Sequence, residues 1–216
     1  MTDFPPLLSV AHVEGDPFAL ALAAARAESA PARLHTAATD KTLAMALELA
    51  PEMPLSTAMV AMPALALGVA DAIGALAPPE VGVFVRWPAT LLLNGAEWGA
   101  LNAAASHSAP DEEPDWLIVA ATLRLASDGE PGHAPNTTSL SEEGAALSAE
   151  TLAPAIARHT LSWLYTLEHE GPAPVLAAFG AKLWREDATV GLDEAGGRIT
   201  RTDGATTITP LTAHLA

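Results

Sequence analysis

Few side chains in this sequence have the type and spacing to do chemistry, and most of those can be set aside. Of the seven histidines, His159 and His169 fall on one expected helix but ten residues apart. That places them about 15 Å apart along the axis, too far to share a metal ion. Asp111, Glu112, Glu113 and Asp115 gather four carboxylates between Pro110 and Asp115. The interleaved prolines and the charge density suit a solvated loop better than a metal site. No His-Glu-x-x-His helix, no Gly-Lys-Ser/Thr phosphate loop and no nucleophile elbow occurs. The absence of cysteine excludes disulfides, thiolate metal sites and a cysteine nucleophile. What remains is cationic. Arg86 can receive a carboxylate through a bidentate contact, and Arg124 is a second candidate. Arg86 equally suits a rim arginine paired with Glu97 or Asp71.

The elements that must position Arg86 are legible around it. Val81, Val83 and Val85 alternate with Gly82, Phe84 and Arg86, the period of a half-buried strand. Pro88 has no backbone donor and ends that strand or sits at a bulge. Thr90 to Leu93 forms a second run. Asn94-Gly95 then supplies the two positive-φ positions of a type I′ hairpin turn. Folding about that turn pairs Leu93 with Ala96, Leu92 with Glu97, Leu91 with Trp98 and Thr90 with Gly99. Leu91, Leu93, Ala96 and Trp98 then share one face.

Arg86-Trp87-Pro88, followed by a short strand, Asn94-Gly95 and Gly99, resembles the central motif of biotin and lipoate protein ligases. That family reads Lys-Trp-Pro-Asn-Asp, then an apolar strand, a turn and a glycine-bearing strand. The similarity extends to a divergent ligase-like subgroup with a short β-rich C-terminus. The resemblance implies an α+β fold, with a mixed sheet backed by helices and a small C-terminal β unit. It places Arg86 at the family lysine, which meets the carboxylate and the adenylate phosphate. It also implies ligand-site positions for Trp87, Pro88, Gly99 and Arg124. Arginine keeps the charge but is larger and planar, so it does not replace a lysine point charge without loss. The family asparagine and aspartate are Ala89 and Thr90 here. Gly99 matches the glycine that lets the backbone approach the ligand, and also suits a simple bulge or strand end. The Gly-Arg-Gly-type loop of the family has no counterpart, since Leu34 to Leu49 contains no glycine.

The remaining elements follow in order. Asp16-Pro17 caps and opens a helix reaching about Glu28. Ala32 to Ala38 and Lys41 to Leu49 read as strands joined at Thr39-Asp40. A long apolar helix runs from Ser56 or Thr57 to about Ala77. Pro63, Asp71 and the lack of a basic flank favour a buried helix over a membrane span. Trp116 to Leu125 is a strand with Leu117, Val119, Ala121, Leu123 and Leu125 on its apolar face. Gly129 to Asn136 is a loop, and Asn136-Thr137-Thr138 within it is read as loop, not glycan site. Ser148 starts a helix to about Glu170, with Ile156, His159, Thr160, Trp163 and Leu167 inward. Pro174 to Trp184 forms another. Residues 188–192, 198–201 and 205–209 are short β-runs set off by Gly196-Gly197 and Asp203-Gly204. The expected division is a core at 1–185 and a β module at 186–216. The module is too short to fold alone, and Val190, Leu192 and Ile208 are expected to bury near Trp184.

Composition narrows the function. Half of the 216 residues are hydrophobic, which is globular. A net charge of −16 with ten Lys and Arg opposes association with nucleic acid or anionic membrane. No basic n-region precedes the first apolar residues, so the expected location is cytoplasmic. The resemblance and its departures together suggest a ligase-like protein degenerate for acyl-adenylate formation, keeping a pocket for a small carboxylate. The alternative is an active ligase that uses ATP to attach biotin, lipoate or a related acid to a lysine of an acceptor domain.

Overall fold

The computed structural model describes residues 3–6, 8–27, 33–127, 136–184 and 189–216. The expected loop at 129–135 and the boundary at 185/186 lie outside them. β4 (Val83–Arg86), β5 (Thr90–Leu93), β6 (Ala96–Ala105) and β7 (Leu117–Arg124) form an antiparallel meander. β2 (Arg33–Ala38) and β3 (Thr42–Leu49) form a second antiparallel pair, and β3 lies against β7. β1 (Ser9–His12) adds a parallel edge to β2. The result is the expected mixed sheet, with strand order β1-β2-β3-β7-β6-β5-β4. β1 is not legible beforehand, because four residues at an edge show no clear alternation.

The hairpin forms at Asn94-Gly95, whose φ values of 49° and 95° are those the turn requires. Leu93 pairs with Ala96 and Leu92 with Glu97, as the sequence predicts. Beyond them the register shifts. Leu91 pairs with Gly99 and Thr90 with Ala100, not with Trp98 and Gly99, because a β-bulge absorbs one residue. Trp98, the extra residue, is fully buried beside Leu91 and Leu93 in the core. The tight turn of Trp87 to Ala89, with a cis Trp87–Pro88 peptide, separates β4 from β5.

Helices cover most of one face. α2 (Leu55–Ala58) and α3 (Ala61–Leu76) replace the single helix expected there. Leu55–Leu76 is apolar enough to cross a membrane, with mean hydropathy 1.8, and 78% of that window is buried inside the protein. The acidic loop runs past its start, where the Glu112 and Pro110 carbonyls accept from the Leu55 and Ser56 amides. Its four carboxylate residues are exposed. α4 (Ala149–Glu170) is capped by Ser148, whose hydroxyl accepts from the Thr151 amide. α5 (Pro172–Lys182) begins and ends two residues earlier than expected. α3 and α4 touch at Gly68, where a Cβ would stand 2.7 Å from Thr160 N and 2.8 Å from its Cα. Only glycine permits that approach.

The opposite face is covered in part. α1 (Pro17–Arg26) lays Ala21 and Ala25 on Ala46, Ile118 and Ala120, a close contact that small side chains allow. Beside it, His35 and Glu48 are 5% and 2% exposed. Among the described residues, neither His35 nitrogen nor Glu48 Oε2 has a hydrogen-bond partner. Burial, then the Arg33 guanidinium, lowers the His35 pKa. Burial raises that of Glu48, against a smaller opposing pull from Arg33.

The C-terminal unit is a separate sheet of β8 (Thr189–Leu192), β9 (Arg198–Thr202) and β10 (Ala205–Thr209). Its docking differs from expectation. Ile208 is 53% exposed, whereas Leu211, in the short 3₁₀ turn after β10, is buried at 1%. Leu192 does pack against the core in part. The Val190 side chain lies outside the described residues. Trp184 does not end α5. Its amide donates to the Val85 carbonyl at 2.7 Å, fastening the chain to the β4 edge.

Gly68→Ala should cost about 2–3 kcal/mol in urea unfolding, since backbone stands in the way and the helices must separate. Gly74→Ala, with open space around it, should be neutral or stabilising by about 0.5–1 kcal/mol. Equal stabilities would refute the crossing described here. The pH dependence has a defined sign as well. His35 is depressed, so its contribution is present above the ordinary value near 6.5 and is lost as pH falls below it. Glu48 is raised, so stability falls as pH climbs from 4.5 through its folded value. Unfolding midpoints at pH 7 and pH 5.5 should therefore show a shallower acid loss in His35→Leu, and Glu48→Gln should gain stability at pH 7.

Candidate functional site

Paired residues on neighbouring strands share a face of the sheet. Arg86 faces Thr90, Thr90 faces Ala100, and Ala100 faces Thr122. This row lies on the side that α1 covers only over β2, β3 and β7. Ala100, Asn102, Thr122 and Arg124 are consequently exposed, with Arg86, Thr90 and Glu97 half-buried. An open shelf of small and polar side chains results, bordered by cations.

The bulge aims the residues of this shelf. Without it Trp98 would point to the open side, since alternation from Leu101 places it there. The extra residue turns the indole inward and leaves Glu97 on the shelf. Trp98 Nε1–H donates to the Arg124 carbonyl at 2.7 Å, locking the turn to β7. Gly99 follows in the bulge, and a Cβ there would stand 2.5 Å from the Thr122 carbonyl oxygen and 2.9 Å from Leu123 Cδ2. Close approach to β7 thus gives Gly99 a packing reason to be glycine.

Arg86 and Arg124 meet at residue 97. Arg86 Nη1 donates to Glu97 Oε1 at 2.6 Å, with the two side chains 37% and 42% exposed. Arg124 Nη1 donates to the Glu97 carbonyl at 2.9 Å. Of the two partners the sequence left open for Arg86, the pairing seen is with Glu97, whereas Asp71 Oδ2 accepts from Trp163 Nε1. Residue 97 is also held by its main chain. Its amide donates to the Asn136 carbonyl at 2.8 Å and its carbonyl accepts from the Thr138 amide at 2.9 Å. Asn94 spans the hairpin tip, accepting from the Gly82 amide through Oδ1 and donating through Nδ2 to Glu143. Glu143 in turn accepts from the Thr138 hydroxyl at 2.7 Å.

Beside this network lies an open pocket of about 540 Å³, lined by Arg86, Asn94, Gly95, Ala96, Glu97, Asn136 and Trp184. The Trp184 ring lies against Gly95, where a Cβ would stand 2.8 Å from it, and meets Phe84 edge-on at 5.4 Å. It is 39% exposed and forms one wall. Neither Trp184 nor Asn136 is identifiable as a pocket residue from sequence, because strand addition at Val85 and the segment at 136–138 bring them there.

Trp87 and Pro88 take another direction. Trp87 is 7% exposed. Its Nε1–H donates to the Gly196 carbonyl at 3.0 Å, His214 meets its ring edge-on at 4.8 Å, and the Arg198 guanidinium lies 5.0 Å from the ring centroid. The residue next to Arg86 thus anchors the C-terminal unit. Among the described residues, no group of three or more His, Asp or Glu side chains is placed to hold a metal ion.

Comparison with known proteins agrees with this architecture. Residues 4–181 match the model of the biotin/lipoate A/B protein ligase family. The chain belongs to that family. A biotin–[acetyl-CoA-carboxylase] ligase of Paracoccus denitrificans is 32% identical over 127 residues, 56% of this chain. That match spans about half, 51%, of the curated relative's length. A crystal structure of a biotin protein ligase-like protein of unknown function from Silicibacter sp. TM1040 superposes with a TM-score of 0.92. It is 35% identical, with 99% of each chain covered. Biotin protein ligase from Aquifex aeolicus has a TM-score of 0.75 at 14% identity, with 94% of this chain and 96% of that one covered, which establishes shared fold.

Trp87→Ala should cost about 3–4 kcal/mol, the usual range for removing a buried aromatic. It should also open residues 189–209 to limited proteolysis while the core stays resistant. Unchanged cleavage would show that Leu211 and the terminal contacts hold the unit without Trp87.

Proposed function

We propose that this protein is a ligase-like binder of small carboxylates whose capacity for classical acyl-adenylate formation is eroded. The observation that carries the reading is the position of Arg86, at the family lysine and at the mouth of the pocket on the uncovered sheet face. Arg86 is the carboxylate-receiving residue, with Arg124 beside it. Trp87, Pro88 and Gly99 shape the turn and bulge that hold it. Residues 1–185 form the ligase-like core and 186–216 a dependent β unit.

The chemistry of adenylation sets the limit. A mixed anhydride forms only when the acid and the α-phosphate are neutralised together and water is kept out. Among the described residues, the cations that strand register puts on the uncovered part of this face are Arg86 and Arg124, and both already bond residue 97. Glu97 adds negative charge alongside. β2 and β3 are joined by a short turn at Thr39 to Lys41, with no room for a glycine-rich cover. These residues do not fit a triphosphate well.

The second reading is an active ligase that joins biotin, lipoate or a related acid to a lysine of an acceptor domain, with ATP. It is favoured by the 32% identity to a protein named as a biotin ligase. Pyrophosphate exchange separates the two. With biotin or lipoate present, exchange should stay at background, while a small carboxylate such as octanoate binds weakly in calorimetry. Arg86→Ala should remove that binding and change the unfolding free energy by less than about 1 kcal/mol, as for exposed pairs. Robust exchange by the wild-type protein would overturn the degenerate reading.

A further inference from the structure

We infer that Glu97 is a built-in occupant of the carboxylate seat at Arg86, and that it weakens the binding of acids there relative to neutral ligands of the same shape. The inference rests on the reading of Arg86 as a carboxylate receiver. A ligand carboxylate would need the guanidinium edge that Glu97 Oε1 now fills at 2.6 Å. In most surface pairs the acid is a loose side chain that leaves at little cost. Here its backbone is fixed from three directions: the bulge at Trp98, the Asn136 and Thr138 hydrogen bonds, and the Arg124 contact to its carbonyl. The carboxylate is therefore presented to Arg86 by a rigid frame.

Two effects follow for an incoming acid. It must displace Glu97 from Arg86, and afterwards it sits beside the displaced charge. Both oppose anions and neither opposes a neutral ligand of the same shape. The half-exposed pair is weak enough to be displaced. The pocket thus binds small monocarboxylic acids poorly by construction, and removing one carboxylate at residue 97 should reverse that. Glu143 provides the comparison. It lies in the same network, on Asn94 and Thr138, without a bond to Arg86 among those described.

The test is calorimetric titration of biotin, lipoate and octanoate, with the biotin and octanoate amides as neutral counterparts. Glu97→Gln keeps the shape and the main-chain contacts, and should bind the acids about fivefold tighter with the amides unchanged. Glu97→Ala should show the same direction, which guards against a local defect peculiar to glutamine. Glu143→Gln should change acid affinity by less than about twofold, as for a screened charge. The combined Glu97→Gln, Arg86→Gln variant should lose the gain. An equal gain in Glu143→Gln would reduce the effect to net charge and overturn the inference. So would acid binding that depends on Arg86 but ignores Glu97, which leaves the carboxylate reading intact. Acid binding in no variant, or binding indifferent to Arg86, would remove both.

Discussion

The structure depends on one extra residue in β6. The bulge at Trp98 is a local departure from strand pairing, yet it decides both sides of the sheet. On the core side it delivers an indole that is completely buried and hydrogen-bonded to Arg124. On the open side it leaves Glu97 between two guanidinium groups. Gly99 makes the arrangement possible, because the neighbouring carbonyl of Thr122 occupies the space of any side chain. Core packing and site electrostatics are therefore both set by three consecutive residues, Glu97, Trp98 and Gly99.

Much of this architecture was legible where local chemistry and tertiary position agree. Asn94-Gly95 specified its turn, Asp16 and Ser148 capped their helices, and alternation in β7 separated core from surface. The α+β class and the sheet-and-helix layering followed from these. The bulge was not legible, because a run of apolar residues fits either register until the partner strand is known. Docking of the C-terminal unit was misjudged for a related reason. Ile208 is the natural anchor by hydrophobicity, but the unit binds through Leu211 and through Trp87, more than a hundred residues earlier. In the site, Arg86 stood out as a cation beside a motif. Its partner was one of two acids on offer, and only strand pairing could choose between them.

Packing and individual motif positions are under different constraints in this protein. The core keeps the ligase layering at 14% identity to the Aquifex enzyme, since the sheet and its buried helices are held by volume and periodicity. Turn and strand-edge positions outside that packing are under no such constraint. Ala89 ends the turn after Pro88 and Thr90 opens β5, half-buried positions that ask little of their side chains. Trp87 persists for a structural purpose of its own, as the clasp on the last sheet. A motif can thus survive in part because some of its letters serve packing.

The strand order carries a consequence for how the chain reaches this state. β2 with β3 and β4 through β7 are two sets of neighbours in sequence, each able to assemble from nearby residues. They join only where β3 meets β7, with Thr42 opposite Arg124. That seam closes a long loop holding the apolar Leu55–Leu76 stretch, and loop closure is the slow kind of contact to make. On a ribosome, β3 waits as an unpaired edge until residue 124 has emerged. The apolar α3 waits longer still, for the α4 residues that pack on it, so the hazard of misassembly is concentrated before they emerge.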